Sequence, residues 1–367
     1  MIGQEIDRQN SSEDYSEVSS LDQLTYTGNE CRVRLTEDIV MTGAVTVNNG
    51  NRLTIDLNGH TLTAAANSQA FRIQNGALTI EDSIGGGVIQ GSGTVTGNGG
   101  AIWMSSDSNN ALTLTGGTIR GFTATDGGGV YVSGGSFEMS GGTIFACNAT
   151  NAGGGVYVSS GSFKMSDGSI EDCTAHEGAG VKVLASSGKA SFSMSGSGEI
   201  KNCNQDGVSI AAIGGTSEFS MSGGTIEDNS GFGVWVDNGS AVMSGGSVKG
   251  SERYDIYIGS RAALTVKNTQ VGGTVLNLGK ITGQGSAEFT GTVENSGYAV
   301  AEITGCKIHR IEHRSPYKGT ITDSPCDEYV YLLGRSWKIP SGAGESITLK
   351  VSSYLPPVME NSLEIPK

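Results

Sequence analysis

The amino-acid sequence predicts an all-β fold built from stacked coils, because one strand-rich unit recurs along the chain. The segment GGGVYVSGGSFEMSGGTI begins at Gly127 and returns as GGGVYVSSGSFKMSDGSI at Gly153. Weaker copies start near four further positions, namely Gly99, Gly178, Asp206 and Gly231. Each copy closes on an aliphatic residue, and these residues are 22 to 30 positions apart: Ile119, Ile144, Ile170, Ile200, Ile226 and Val248. Self-similarity at such a period is typical of solenoids.

Within each copy, apolar and polar residues alternate in three short segments separated by Gly/Ser turns. Val130 and Val132 in the first segment, and Phe137 and Met139 in the second, are predicted to face inward. A period of two is typical of a β-strand, whose successive side chains face opposite sides. Three strands per ~25-residue copy, repeated with like residues over like, predict coils that stack in parallel and bury their apolar faces against one another.

The composition excludes several other classes of protein. Gly makes up 58 of the 367 residues and Pro only 6, so a collagen is excluded. With 16% charged and 36% hydrophobic residues, the chain is neither a disordered polyelectrolyte nor a membrane protein, and no membrane insertion is expected. The net charge of −14 argues against nucleic acid and anionic lipid as partners, because phosphate binding needs clustered Lys and Arg.

The sequence carries no recognisable targeting segment. Residues 1–20 contain no apolar run of signal-peptide length. The acidic composition, rich in Gly, Ser and Thr, nevertheless favours a secreted or cell-surface protein whose leader is absent from this chain.

The ends of the chain differ from its middle, which predicts three parts. Residues 1–34 are expected to form a mobile N-terminus and a capping segment, in which a short helix begins at Ser20–Leu24 and covers the first coil. Residues 35–295 are predicted to be the parallel β-helix. All six prolines fall in the last 52 residues, so residues 296–367 are predicted to be a C-terminal β cap or a small β domain.

The repeats resemble a known family of folds. The GGxI repeats, with a polar residue three positions on, and the stretch LTIDLNGHTL from Leu53 to Leu62 resemble the right-handed parallel β-helix repeats of bacterial surface proteins. They are similar to the repeats of polymorphic membrane proteins and of pectate-lyase-like proteins, over roughly residues 35–295. The resemblance implies a right-handed coil, in agreement with the general crossover rule. It implies no single activity, because this scaffold carries lyases, hydrolases, esterases, adhesins and inert stalks.

The outward positions of the first strand in each coil form the most informative row. Five of its seven members are aromatic: the row runs Trp103, Tyr131, Tyr157, Lys182, Ser209, Trp235 and Tyr257. Flat rings about one strand spacing apart suit the apolar faces of sugar rings, and exposed apolar patches commonly mark binding surfaces. The neighbouring Asp126 and Glu177 supply acceptors for sugar hydroxyls. The alternative is that aromatic residues favour strands and stack on one another, or that the C-terminal cap covers them.

The cysteines are predicted to be structural. None of the six forms a C-x-x-C pair. Cys147, Cys173 and Cys203 each follow the closing Ile by three residues, so they form a line in which a disulfide is strained and four converging metal ligands are lacking. A buried ladder of thiols is the prediction. Whether Cys306 and Cys326 pair across their 20-residue separation is left open.

Charged residues after the closing aliphatic residue alternate in sign from coil to coil. They predict cross-strand ion pairs on the surface, formed by Glu171, Lys201, Glu227 and Lys249.

Two further motifs are weak indications of chemistry. Asn204-x-Asp206-Gly207 is similar to one short motif of polygalacturonases. That family's Asp-Asp pair, Gly-His-Gly and Arg-x-Lys motifs are absent, and the residues fall at a turn of the repeat. His309 and His313 are four positions apart without the Glu of a zincin, so no metal site and no cofactor are predicted.

These observations favour a non-catalytic, secreted or cell-surface module. It would serve adhesion or carbohydrate binding, with a glycan or a surface protein as partner. Trp103, Tyr131 and Tyr157 are its predicted stacking platform, supported by Trp235 and Tyr257. One alternative is a polysaccharide lyase or glycoside hydrolase acting on acidic polysaccharide, and a second is a structural stalk without a ligand.

Overall fold

The structure, a computed structural model, describes most of the chain. The described residues are 15–22, 24, 29–296, 299–313, 319–322, 324, 326–331, 335–339 and 346–349, with side chains described as far as Glu312 and at Ser324. All regular elements in these ranges are strands, and no helix is among them that is long and apolar enough to cross a membrane.

The strands are short in the first coils and longer towards the middle of the chain. In chain order they are β1 (Ser16–Val18), β2 (Glu30–Leu35), β3 (Ile39–Val40), β4 (Val45–Asn48), β5 (Arg52–Asp56), β6 (Thr61–Thr63), β7 (Phe71–Gln74), β8 (Ala77–Glu81), β9 (Val88–Gln90), β10 (Ile102–Met104), β11 (Ala111–Leu114), β12 (Thr118–Arg120), β13 (Thr123–Asp126), β14 (Val130–Val132), β15 (Ser136–Phe145), β16 (Asn148–Ala152), β17 (Val156–Val158), β18 (Gly161–Glu171), β19 (Val181–Ala185), β20 (Lys189–Met194), β21 (Glu199–Lys201), β22 (Val208–Ala212), β23 (Thr216–Glu227), β24 (Phe232–Lys249), β25 (Tyr254–Lys267), β26 (Gln270–Val271), β27 (Val275–Asn277), β28 (Lys280–Gln284), β29 (Glu288–Asn295), β30 (Val300–Thr304), β31 (Lys307–His313), β32 (Gly319–Thr322), β33 (Cys326–Tyr331), β34 (Arg335–Ile339) and β35 (Ser346–Leu349).

From β1 to β31, the strands pair in parallel with their counterparts in the neighbouring coils, and most of them line up in three faces. The first face contains the first strand of each coil and runs β4, β7, β10, β14, β17, β19, β22, β24, β25 and β27. The second face runs β1, β2, β5, β8, β11, β15, β18, β20 and β23, and the third runs β3, β6, β9, β12, β15, β18, β21 and β23. Long strands such as β15 and β18 bend at a corner and contribute to two faces.

The core is a column in which like residues lie over like. The predicted inward residues Val130, Val132, Phe137 and Met139 are all at most 1% exposed. Their counterparts in neighbouring coils are equally buried, so the core is continuous along the column rather than globular. The alternation in the sequence therefore predicted the buried face correctly.

A stack of four phenylalanines fills the core beneath the second face. Phe137, Phe163, Phe192 and Phe219 occupy one register position in four consecutive coils. Their ring centroids are 4.6, 4.8 and 5.2 Å apart, with interplanar angles of 9° to 21°. Offset-stacked aromatic pairs stabilise a fold by about 0.5–1.5 kcal/mol beyond the burial of their area.

The corner after the third face depends on the left-handed backbone conformation. Ala146, Asp172, Asn202 and Asp228 have φ angles of 48° to 55°. Each precedes a small buried residue that turns into the core, such as Cys147 after Ala146. Asn and Asp tolerate this conformation better than most residues, which explains their recurrence at this position.

The ends of the column differ from the predicted arrangement in one respect. Ser20–Asp22 and Leu24 are not helical, contrary to the helix expected there. Leu21 is only 6% exposed and belongs to the core, and Leu24 packs against it, so both side chains contribute apolar surface at this end.

Parallel pairing extends beyond residues 35–295. It begins at β1, which pairs with β2, and continues through the pairing of β31 with β33. The pairing then becomes antiparallel, between β33 and β34 and between β32 and β35. The division into 1–34, 35–295 and 296–367 stays a prediction, and the six prolines lie outside the described residues.

The phenylalanine stack gives a first testable prediction. We expect Phe163→Leu to lower the free energy of unfolding more than Phe219→Leu, by about 0.5–1.5 kcal/mol, because Phe163 has a ring on both sides and Phe219 on one. Both side chains are at most 1% exposed, so the difference isolates one ring contact. Urea unfolding of the two variants measures it, and equal losses would contradict the role of stacking.

The buried carboxylate of Asp56 gives a second prediction. Burial raises its pKa, but hydrogen bonds from Ser83, Arg34 and Asn58 outweigh that effect and hold the pKa below its usual value. Because the folded-state pKa is the lower one, this contribution to stability is present above the unfolded pKa of about 3.9 and is lost as the pH falls.

We therefore expect Asp56→Asn to destabilise the protein at pH 7 by about 1.5–3 kcal/mol, with the difference from wild type shrinking at acid pH. Thermal unfolding from pH 7 to pH 3 measures it, with Glu37→Gln, an exposed carboxylate nearby, as the control. A difference that is constant over this range would overturn the assignment.

Candidate functional site

The predicted aromatic row lies on the outside of the first face, in register through seven strands. Trp103 lies opposite Tyr131, which lies opposite Tyr157, and the line continues through Lys182 and Ser209 to Trp235 and Tyr257. The flanking inward valines are fully buried. The alternation that builds the core thus also places the predicted aromatic residues in one line.

Tyr131 and Tyr157 form a stacked pair. Their ring centroids are 5.2 Å apart and the rings are inclined by only 16°. Tyr157 is 8% exposed, and burial, with Asp126, Tyr131 and Glu177 nearby, raises its pKa well above the usual value. Because the two rings stack face to face, a ligand would meet ring edges and hydroxyl groups. The pair is therefore a ridge, not the flat platform expected from the sequence.

Trp103 instead borders a pocket. This pocket has a volume of about 250 Å³ and is lined by Gln69, Arg72, Gln74, Asn98 and Trp103. The Trp103 side chain is partly exposed, and among the described residues it has no stacked ring. An indole beside amide and guanidinium groups offers both an apolar surface and hydrogen-bond donors.

The Arg72 guanidinium in this pocket is held in place by a buried amide. Gln69, which is 7% exposed, donates from Nε2 to the carbonyl of Asn98 at 3.2 Å. Its Oε1 accepts hydrogen bonds from Arg72 Nε at 3.1 Å and Nη2 at 2.9 Å. No carboxylate among the described residues pairs with Arg72. We call this group the Arg72 pocket.

The predicted carboxylates lie at one edge of the row. A short additional sheet of β13 and β16 pairs Asp126 with Ala152, and a further bridge pairs Ala152 with Glu177. Asp126 accepts a hydrogen bond from Asn151 Nδ2 at 2.7 Å. Glu177 accepts one from Lys182 Nζ, also at 2.7 Å. Both predicted acceptors therefore lie beside the row, and both are already oriented by a neighbour.

A buried polar pair interrupts the aromatic row. The Lys182 side chain is 3% exposed, and its Nζ donates to Glu177 and, at 3.0 Å, to Ser209 Oγ. The ammonium also lies 5.6 Å from the centre of the Trp235 ring, within the range of a cation–π interaction. The interruption separates Trp103, Tyr131 and Tyr157 from the second aromatic group.

The second aromatic group packs around Phe232, which the sequence analysis missed. Trp235 and Tyr257 meet edge to face, with centroids 6.2 Å apart at 89°. Phe232 contacts both rings, and the Arg253 guanidinium lies 4.8 Å above it. Burial, together with Asp237 and Tyr254 nearby, raises the pKa of Tyr257. Trp235 and Tyr257 thus serve mainly to pack against each other and Phe232.

A larger groove lies next to Lys182 on the same face. It has a volume of about 650 Å³, and its lining consists of Glu177, Lys182, Leu184, Ala211, Ala212, Ile213, Asp237, Asn238, Ser260 and Arg261. Arg261 and Asp237 are exposed, and neither has an ion-pair partner among the described residues. We call this the Lys182 groove. Its lining combines aliphatic side chains with charges of both signs.

The Arg72 pocket was missed by sequence reasoning, although one signal pointed to it. Arg72 lies opposite Trp103 in register, and so occupies the row position of the preceding coil. Extending the row by one coil would have found Arg72. Gln69 and Asn98 lie in irregular segments outside the strands, where no period predicts what they contact.

The remaining candidate motifs are structural. Asn204 accepts a hydrogen bond from the Ala175 amide at 3.0 Å. Asp206 is buried, which raises its pKa, and its carboxylate accepts from the amides of Gly178 and Phe232, each at 3.2 Å. These groups hold a turn between coils, as predicted, rather than facing a substrate.

The predicted ion pairs are present in the alternating charged series. Lys201 lies 3.8 Å from Glu171, and Lys249 lies 3.0 Å from Glu227. Lys201 is closer still to Glu199, at 2.6 Å. The pairs of Lys201 with Glu171 and of Lys249 with Glu227 link neighbouring coils, whereas Lys201 and Glu199 lie on the same strand.

The cysteine file is a ladder of buried free thiols, as predicted. Cys147, Cys173 and Cys203 are fully buried, and burial raises the pKa of the Cys147 thiol well above its usual value. Each of Cys147 and Cys173 lies 3.8 Å from the carbonyl of the preceding coil's closing Ile.

No cluster of metal-ligating residues occurs in the part of the chain that the structure describes. The side chains of Cys326 and His313 lie outside it.

We expect the three thiols of the ladder to resist alkylation in the folded protein. Only a thiolate reacts, and all three thiols are buried. Burial raises the pKa of the Cys147 thiol, and a hydrogen bond with Cys203 together with burial raises that of Cys173. Mass spectrometry after iodoacetamide treatment at pH 8, with and without denaturant, measures the labelling. Modification of Cys147, Cys173 or Cys203 without denaturant, or a disulfide between them, would contradict the structure.

Comparison with known proteins agrees with this architecture. Residues 100–271 match the family model described as right handed beta helix region. No curated protein and no solved structure was found to match the chain. The matched segment contains the whole row from Trp103 to Tyr257. The predicted fold is confirmed: the protein is a right-handed parallel β-helix, and residues 100–271 are the part of the chain that matches the family model.

Proposed function

We propose that the protein is a non-catalytic, secreted or cell-surface module that binds a polysaccharide on its first face. One observation carries the proposal: the Arg72 pocket and the Lys182 groove both lie on the face that holds the aromatic row. Ligand sites are concave and combine apolar surface with a few placed polar groups, as these two do.

The polar groups of the face support a sugar ligand. Gln69, Gln74, Arg72 and Asn98 surround Trp103 with amide and guanidinium groups. The ridge of Tyr131 and Tyr157 adds hydroxyl groups next to the carboxylates of Asp126 and Glu177. Sugars carry many hydroxyl groups around small apolar patches. Hydrogen-bond donors and acceptors on this face match the hydroxyl groups, and the Trp103 ring matches the apolar patches.

The stacking contact in this proposal belongs to Trp103. Tyr131 and Tyr157 stack on each other, and Trp235 and Tyr257 pack against Phe232. Trp103 alone in the row combines a partly exposed indole with a pocket beside it. In this arrangement the tyrosines contribute edges and hydroxyls, and Trp235 and Tyr257 stabilise the face.

We expect Trp103→Ala to weaken glycan binding about tenfold, taking as a guide the stacking of nucleic-acid bases on aromatic side chains, which is of the order of 1–3 kcal/mol. A glycan array probed with the wild type identifies the ligand, and titration of the best ligand measures the loss. Phe145→Ala is the matched control, because Phe145 is a partly exposed aromatic residue on the third face.

The result that would contradict the proposal is equal affinity of wild type and the Trp103 variant for every glycan bound. Binding lost equally in the Phe145 variant would indicate a general defect rather than a site. An assay for new reducing ends on uronic-acid polysaccharides accompanies the titration. Turnover in this assay would show that the protein is an enzyme and not a non-catalytic binding module.

A further inference from the structure

The Lys182 groove holds one unpaired charge of each sign. Four charged residues belong to its lining, and two of them, Glu177 and Lys182, hydrogen-bond to each other at 2.7 Å. The other two, Asp237 and Arg261, are exposed, and neither has an ion-pair partner in the part of the chain that the structure describes. A carboxylate and a guanidinium are therefore both available to a ligand in one concave site of about 650 Å³.

The register of the strands places these two charges on neighbouring coils. Arg261 on β25 pairs with Asn238 on β24, and Asp237 directly precedes Asn238. Adjacent strands are about 4.8 Å apart, so the two side chains start from positions about one strand spacing apart along the column. They do not form an ion pair with each other. A ligand that carries an ammonium and a carboxylate a few ångströms apart can therefore pair with both.

The aliphatic part of the groove adjoins the charged part. Leu184 lies opposite Ala211 in register, and Asp237 follows Val236, the residue that lies opposite Ile210 in the next coil. Beyond Ala211, the Ile213 side chain is 78% exposed although it belongs to a concave lining. Covering an exposed aliphatic side chain is favourable in proportion to the area removed from water. The groove therefore offers an apolar contact beside its two charges.

Backbone and side-chain hydrogen bonds hold the lining in place. The Ile213 amide donates to the carbonyl of Ala185 at 3.1 Å, which fixes the segment that carries the exposed side chain. Asn238 Nδ2 donates to the carbonyl of Ala212 at 2.7 Å and links the aliphatic coil to the charged one. A site whose shape is fixed before binding loses less conformational entropy when the ligand arrives.

We propose that the Lys182 groove binds a short peptide with free termini and aliphatic side chains. Its terminal ammonium pairs with Asp237, its terminal carboxylate pairs with Arg261, and an aliphatic side chain covers Ile213. Neutral and uronic-acid sugars supply neither a cation for Asp237 nor a branched aliphatic group, whereas a short peptide supplies both. The inference goes beyond the proposed function and does not rest on it, because Trp103 does not line this groove.

The test is isothermal titration calorimetry with four dipeptides. Leu-Leu carries all three groups, N-acetyl-Leu-Leu lacks the ammonium, Leu-Leu amide lacks the carboxylate, and Gly-Gly lacks the aliphatic side chains. We expect each of the last three to bind at least about tenfold more weakly than Leu-Leu, since one hydrogen bond to a charged group has about this effect on an equilibrium constant.

Three variants assign each group of the ligand to its residue. We expect Asp237→Asn to lower the affinity for Leu-Leu to that for N-acetyl-Leu-Leu, while the acetylated peptide binds as it does to the wild type. Arg261→Gln has the same relation to Leu-Leu amide, and Ile213→Ser has it to Gly-Gly. Glu252→Gln is the matched control, because Glu252 is an exposed carboxylate outside the groove and its loss leaves every affinity unchanged. All four positions are exposed, and thermal unfolding checks that the variants are folded.

The outcomes that overturn this inference differ from those that overturn the proposed function. Absence of Leu-Leu binding, or equal affinity for the free and the capped dipeptides, overturns the peptide site. So does Leu-Leu binding that survives unchanged in both Asp237→Asn and Arg261→Gln, because the peptide would then bind elsewhere. Glycan binding and its dependence on Trp103 are measured separately on the array, so either proposal can fail while the other stands.

Discussion

The register between coils is the constraint on which the rest of this protein depends. No coil can bury its apolar face alone, and each is completed only by the neighbours above and below it. Phe163 illustrates the point, lying between Phe137 and Phe192 with centroids less than 5 Å away on each side. A shift of one residue would turn every inward side chain outward. The core therefore fixes the outer surface as well, including the line of residues on the first face.

That dependence explains how much of the molecule could be predicted from sequence. The inward position of Val130 and the outward position of Tyr131 follow from alternation alone, and both were predicted. The contact between Tyr131 and Tyr157 follows from side-chain rotation, which alternation does not specify, so the expected flat platform is a ridge. The Arg72 pocket was missed for a related reason: Gln69, which orients Arg72, lies outside the periodic strands. Periodicity predicts position along a strand but not the contacts of irregular segments.

The polar interruption of the row shows where the repeat departs from pure stacking. Lys182 replaces an aromatic residue in a fully covered position, and an unpaired buried ammonium there would be strongly destabilising. Glu177 and Ser209 provide the partners, and the Trp235 ring supplies a further favourable contact. At Lys182 the contacts along the row thus change from aromatic stacking to hydrogen bonds, and the register of the strands is kept. The groove beside Lys182 begins at this point, so the change in chemistry coincides with a change in surface shape.

The left-handed corner at Ala146, Asp172, Asn202 and Asp228 has an evolutionary consequence. Because each of these coils leaves the corner with nearly the same backbone angle, a duplicated coil fits between two existing ones without disturbing either. The near-identical units that begin at Gly127 and Gly153 are what such a duplication would produce. Every inserted unit lengthens the outer surface by one strand spacing, about 4.8 Å. Duplication or loss of whole units can therefore lengthen or shorten this surface in steps of one strand spacing, while the protein keeps its core.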